Sequence, residues 1–168
     1  MRRGVTILFL LNVAVALAMP FLFQERIAVH FGMGGAADGW GPPAVHAAVF
    51  SVTCLLLYLA LVGSARLVLH TPARWINLPN KAYWLTPENR PRAAARLAAG
   101  MERFGAALFG FLLITQALVI EANRAESPRL NEPLFLSALG LFLVYTGWWS
   151  IRLMQSFAAP RTGGPDSP

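Results

Sequence analysis

Four stretches of the chain, residues 5–23, 44–62, 104–120 and 134–151, are apolar and uncharged, and polar segments separate them. A helix needs roughly 20 apolar residues to cross the hydrocarbon core of a bilayer. Each stretch comes close to that length, and Glu121 and Ala122 extend the shortest, 104–120, toward the interface. None alternates strictly between apolar and polar residues, as a barrel strand would. A helix satisfies its own backbone groups without water, so helices are the reading. The pattern predicts an all-α membrane protein with four transmembrane helices. Residues 1–63 form a first helical hairpin with an outer loop, 64–103 a basic interfacial segment, and 104–153 a second hairpin. The Gly-, Pro- and Ser-containing stretch 154–168 reads as a disordered tail. No internal repeat supports an inverted-repeat transporter.

Composition agrees with that pattern. Hydrophobic residues make up 56% of the 168 residues and charged ones only 13%, against roughly 25% charged in a soluble domain. This excludes an ordinary soluble enzyme and a disordered chain. The single cysteine, Cys54, excludes an internal disulfide and lies in an apolar run as an inert thiol. The net charge of +6 does not point to nucleic acid, because the basic residues alternate with apolar runs instead of covering one soluble face.

The basic residues instead orient the spans. Of the 14 Lys and Arg, all but Arg26, Arg124 and Arg129 lie near the two termini or in the central segment, which holds Arg66, Arg74, Lys81, Arg90, Arg92, Arg96 and Arg103. The positive-inside rule predicts that both termini and the central segment face the cytoplasm. Loops 24–43 and 121–132 then lie outside. Arg2 and Arg3, the following apolar run and Ala16-Leu17-Ala18 also fit a cleavable signal peptide. Apolarity that continues through Phe23 favours a retained first span.

Within the spans, Asn12, Thr53, Thr115, Gln116, Tyr145 and Thr146 are polar, and packing is their default explanation. The pairs Ala14/Ala18 and Ala106/Gly110 are spaced for close helix approach. No span carries a charge at its middle, which argues against a proton relay or ion pump.

The first outer loop is the most distinctive segment. Ile27, Val29 and Phe31 alternate as in a short strand with one apolar face. Gly32, Gly34 and Gly35 allow a tight reversal, and Asp38-Gly39 is a turn signal. Val29-His30-Phe31, Gly35 and Asp38-Gly39-Trp40-Gly41 together resemble the N-terminal domain of unknown function in bacterial membrane proteins related to the SdpI immunity protein. The likeness spans roughly residues 5–63. It departs at Ala28, where the family has proline, and at Gly32, where it has asparagine. The segment Asn77-Leu78-Pro79-Asn80-Lys81-Ala82-Tyr83-Trp84 is similar to one that small members carry between their second and third spans. The resemblance implies a multi-pass protein of the bacterial cytoplasmic membrane. It also implies a role in immunity against a secreted peptide.

In that loop, His30, Phe31, Asp38, Gly39 and Trp40 are the candidate ligand-binding residues. His30 and Asp38 can pair, or bind a metal or a peptide amine, with Trp40 as an apolar wall. The structural alternative is a staple, in which Asp38 caps the turn, His30 bonds a carbonyl and Trp40 anchors at the interface. That alternative is favoured, because a metal site needs three or four ligands and the loop supplies few. No metal and no cofactor is therefore expected. There is no Gly-x-Ser-x-Gly elbow and no His-Glu-x-x-His signature, so no catalytic residue is assigned.

In the central segment, Trp75, Asn77, Asn80, Lys81, Tyr83 and Trp84 are candidates for contact with lipid or a cytoplasmic partner. Aromatic rings beside basic groups favour the headgroup zone. Thr86-Pro87-Glu88 reads as a helix start, delayed by Arg90-Pro91. Leu97, Met101, Phe104 and Leu108 then recur at helical spacing toward the third span. The function expected from all this is non-enzymatic. The leading reading is a receptor or immunity-type protein that meets an extracytoplasmic peptide or envelope ligand. The alternatives are an accessory subunit packed against a membrane partner protein, and a membrane enzyme using His30 and Asp38.

Overall fold

The computed structural model describes residues 2–158. Helix α1 (Arg2–Leu22) leads into a two-stranded antiparallel hairpin of β1 (Ile27–Phe31) and β2 (Ala37–Gly41). Helix α2 (Pro43–His70), a single turn α3 (Lys81–Trp84), and helices α4 (Arg90–Ala122) and α5 (Glu132–Ser156) follow. All four long helices are long and apolar enough to cross a membrane.

The last three apolar stretches are only parts of longer helices, whereas the first nearly fills α1 and ends one residue past it. Helix α2 continues to His70, where Pro72 stops it, and α4 starts at Arg90. Pro91 sits in the first turn of α4, where a missing N–H costs no hydrogen bond. The helix start expected at Thr86-Pro87-Glu88 is a turn instead, in which the backbone N–H groups of Asn89 and Arg90 donate to the Thr86 carbonyl. The central segment thus consists largely of helix continuing from the spans, with residues 71–89 as the true connection. The tail boundary expected at residue 154 also moves. Helix α5 runs to Ser156 and Phe157 is buried, while residues 159–168 of that expected tail lie outside the described residues.

Helices α1, α2 and α4 pack against one another, and α5 leans mainly on α4. Glycine permits the closest approaches. A Cβ on Gly105 would stand 3.0 Å from Leu61 Cδ1 of α2 and 3.3 Å from Val5 Cγ1 of α1. A Cβ on Gly100 would stand 2.7 Å from Leu153 Cδ1 of α5. These contacts replace the ones expected at Ala14 and Gly110: Ala14 is exposed and Gly110 has open space beside it. Val5, Cys54 and Phe109 centre the three-helix core, where Phe9 stacks on Tyr58 at 4.5 Å.

Two polar residues are buried in that core. Asn12 Nδ2 donates to the carbonyls of Leu8 and Phe109, each at 2.9 Å. Gln116 Nε2 donates to Asn12 Oδ1 at 3.0 Å. In lipid no water can satisfy such groups, and both amide nitrogens find a partner across helices, whereas Gln116 Oε1 is buried with none among the described residues.

Candidate functional site

The β hairpin forms a cap over the end of the bundle where the α1–α2 and α4–α5 links meet. Its turn is Met33–Gly35, closed by Gly32 N–H donating to the Ala36 carbonyl at 2.9 Å. Gly34 and Gly35 hold φ of 80° and 76°, a region that disfavours other residues. Asp38-Gly39 is therefore not the turn and lies inside β2. Gly39 faces His30 across the ladder, and a Cβ there would come within 2.7 Å of His30 Cβ. Glycine at 39 thus serves strand approach. The expected apolar face of Ile27, Val29 and Phe31 also changes: Ile27 and Ala28 are buried, whereas Val29 is exposed. Register irregularities between Ala28 and His30, and again between His30 and Phe31, break the simple alternation.

The cap is tied to the second helical pair. Asn123, just past α4, clamps one residue of β1: Ala28 N–H donates to its Oδ1 at 2.7 Å, and its Nδ2 donates to the Ala28 carbonyl at 3.0 Å. The side-chain amide replaces a neighbouring strand at that position. Leu130 N–H donates to the Gly35 carbonyl at 2.8 Å, and Ala36 bridges to Arg129. A Cβ on Gly35 would fall 2.3 Å from the Leu130 carbonyl oxygen, so only glycine fits against that link.

The five candidate residues of this loop divide. His30 Nδ1 and Asp38 Oδ1 meet at 2.5 Å, with side chains 73% and 53% exposed. Phe31 is half-buried and pairs with Ala37 next to the turn. Trp40 borders a cleft of about 410 Å³ with Glu25, Arg26, Asn123 and Glu126, and neither His30 nor Asp38 lines it. Arg26 crosses to donate to the Trp40 carbonyl at 2.9 Å. Among the described residues, no three His, Cys, Asp or Glu side chains are grouped to hold a metal ion.

At the opposite, basic end, the candidates also split. Trp84 is 3% exposed, and its indole N–H donates to the Phe157 carbonyl at 2.9 Å. Asn80, in a left-handed conformation at φ 53°, donates to the same carbonyl. Both residues hold the turn that ends α5, but only Trp84 lies in the interior, whereas Asn80 stays exposed. Trp75, Asn77, Lys81 and Tyr83 remain exposed. Arg96 lies 4.6 Å over the Trp84 ring and donates to the Ser156 carbonyl. Arg90 donates to the Val68 carbonyl at 2.8 Å and also to the Thr71 carbonyl. Two arginines thereby satisfy carbonyls at the C-terminal ends of α2 and α5, where a helix leaves acceptors unpaired.

Asn123, Arg90 and Arg96 did not stand out as structural residues in the sequence. An asparagine following an apolar helix is an ordinary C-terminal residue, and its partner is 95 positions away.

Four helices able to span a membrane, joined at one end by an ordered hairpin, define a multi-pass membrane protein. Residues 6–61 match a domain of unknown function, DUF1648. That stretch takes in most of α1, the whole cap and most of α2, and leaves α4 and α5 outside it. No match was found among curated proteins or solved structures.

Proposed function

We propose that this is a non-enzymatic receptor-like protein of the bacterial cytoplasmic membrane, and that its cap receives an extracytoplasmic peptide. The observation that carries the reading is the Trp40 cleft. Trp40 beside Glu25 and Glu126 offers an aromatic wall and two carboxylates, of which Arg26, the one cation among the described lining residues and tied to the Trp40 carbonyl, offsets only one, and this suits a cationic amphipathic peptide. Recognition is favoured over catalysis because His30 and Asp38 stand largely in solvent, whereas charge stabilisation in catalysis works best where water is excluded. The likeness of the loop to SdpI-related proteins supports an immunity-type role. The distribution of arginines supports both termini facing the cytoplasm.

Two experiments test this. Alkaline phosphatase fused after Met33 is expected to be active, and fused after Leu85 inactive; the reverse pattern inverts the orientation. A labelled Lys-rich amphipathic peptide is expected to bind the purified protein in nanodiscs. Trp40→Ala should weaken that binding about tenfold, as for a central aromatic anchor. Unchanged binding by Trp40→Ala and by a Glu25→Gln/Glu126→Gln variant removes the site.

A second reading, an accessory subunit, is favoured by α5. Its apolar window contributes no buried residue, and Leu141, Val144 and Ile151 are exposed along it. A stoichiometric membrane partner retained in mild detergent would support it.

A further inference from the structure

At the basic end, α4 and α5 diverge to leave a cleft of about 260 Å³. Arg96 and Arg103, one heptad apart on α4, face Arg152 of antiparallel α5 across it. Trp148 and Trp149 form its wall, and no carboxylate lines it among the described residues. The wall is held in place: Trp149 Nε1 donates to the Gly100 carbonyl at 2.9 Å, and Phe104 stacks on the Trp149 ring at 4.6 Å. The Arg152 guanidinium lies 5.8 Å from the Trp148 ring centroid. Arg103 and Arg152 each stand where an apolar stretch ends, at the depth of lipid headgroups.

The same side of this seam continues into the apolar part of the bundle. On α4 the stripe runs from Arg96 and Arg103 to Ala107, Gly110 and Ile114, at spacings of three, four and seven residues. There it borders an apolar groove of about 470 Å³ against Leu141 and Tyr145 of α5. Gly110 has nothing within 4 Å of where a Cβ would stand, which leaves that groove open.

We propose that the α4/α5 seam is a binding site for one anionic phospholipid. The three arginines hold the phosphate, the tryptophans pack on the glycerol region, and an acyl chain lies in the groove beyond. Three guanidiniums around one cleft, with no carboxylate among its described lining residues, call for an anion, and arginine suits phosphate through its forked donors. The adjoining apolar groove favours a lipid over free phosphate. Basic pockets between transmembrane helices are a known form of headgroup recognition.

The test uses the full chain purified in mild detergent and titrated with phosphatidylglycerol or phosphatidylcholine, with bound lipid read by native mass spectrometry. Phosphatidylglycerol should be retained in preference. Arg103→Gln/Arg152→Gln should weaken it on the order of thirtyfold, at about 1 kcal/mol per basic group. Arg66→Gln/Arg74→Gln, an equal loss of charge outside the cleft, should leave it unchanged. Gly110→Leu should weaken the phospholipid by filling the groove, without changing arginine chemistry. Soluble glycerophosphate should compete poorly. Equal retention of the two lipids, an equal effect of the control pair, indifference to Gly110→Leu, or full competition by glycerophosphate would each overturn the proposal.

Discussion

The capped end and the basic end of the bundle both carry polar residues, yet they use them in opposite ways. At the capped end the charged pair, His30 and Asp38, faces solvent, while glycines and backbone hydrogen bonds to Leu130 and Asn123 hold the hairpin down. At the basic end Arg90 and Arg96 act as fasteners, closing the ends of α2 and α5, and the exposed Arg96 lies over the buried Trp84 ring. The chemical character of a residue therefore does not state its role. A conspicuous acid–base pair stands largely in solvent, and Trp84, which looks like a lipid anchor, is an interior residue. The reason is competition with water. A hydrogen bond in solvent exchanges for one with water at little gain, whereas a buried acceptor left unpaired carries its full desolvation cost.

This contrast can be broken or sharpened by substitution, with stability followed by thermal or denaturant unfolding in detergent. Trp84→Ala should have the largest effect, about 3–5 kcal/mol, since it empties a buried site and strips the Phe157 carbonyl of a donor. A near-neutral result would return Trp84 to the interface. Gly35→Val follows, at about 3 kcal/mol from left-handed strain and collision with Leu130. It should also expose the hairpin to protease, and intact protection would mean that the cap does not rest on the α4–α5 link. Asn123→Ala removes the clamp on both sides of Ala28 and should cost about 2 kcal/mol, with faster amide exchange at Ala28 as its local mark. Asn12→Leu should cost only about 1 kcal/mol, the usual size of an interhelical hydrogen bond in lipid. His30→Ala is expected to be smallest, at no more than about 1 kcal/mol for an exposed pair. A larger loss would show that the pair helps hold the cap together.

Much of the fold was legible because lipid imposes a length. The runs at 44–62, 104–120 and 134–151 each fall inside one helix that can span a membrane, and the run at 5–23 does so but for Phe23. A strand from Ile27 to Phe31 and a glycine reversal at Gly32–Gly35 were also readable, since φ above zero is a glycine signature. Asp38-Gly39 misled because the same dipeptide that makes a turn also lets a strand pass close to His30. Helix ends at His70 and Arg90 were missed because apolarity reports where lipid begins, not where a helix stops. Of the candidate site, the meeting of His30 with Asp38 was foreseeable across eight residues. That Trp40 borders a cleft lined by neither of them was not, because that depends on which cleft the bulged ladder presents.

Taken alone, the order of residues determined the solvent of this protein, the number of its spans and the position of its hairpin, since each follows from local apolarity or from glycine's freedom at φ. Only the tertiary structure decided which polar groups meet. Asn123 on Ala28, Trp84 and Asn80 on Phe157, Gln116 on Asn12 and Arg96 on Ser156 are each brought together across 60 or more positions. Such pairings depend on the packing of whole helices, and nothing in the neighbourhood of either partner along the chain records them.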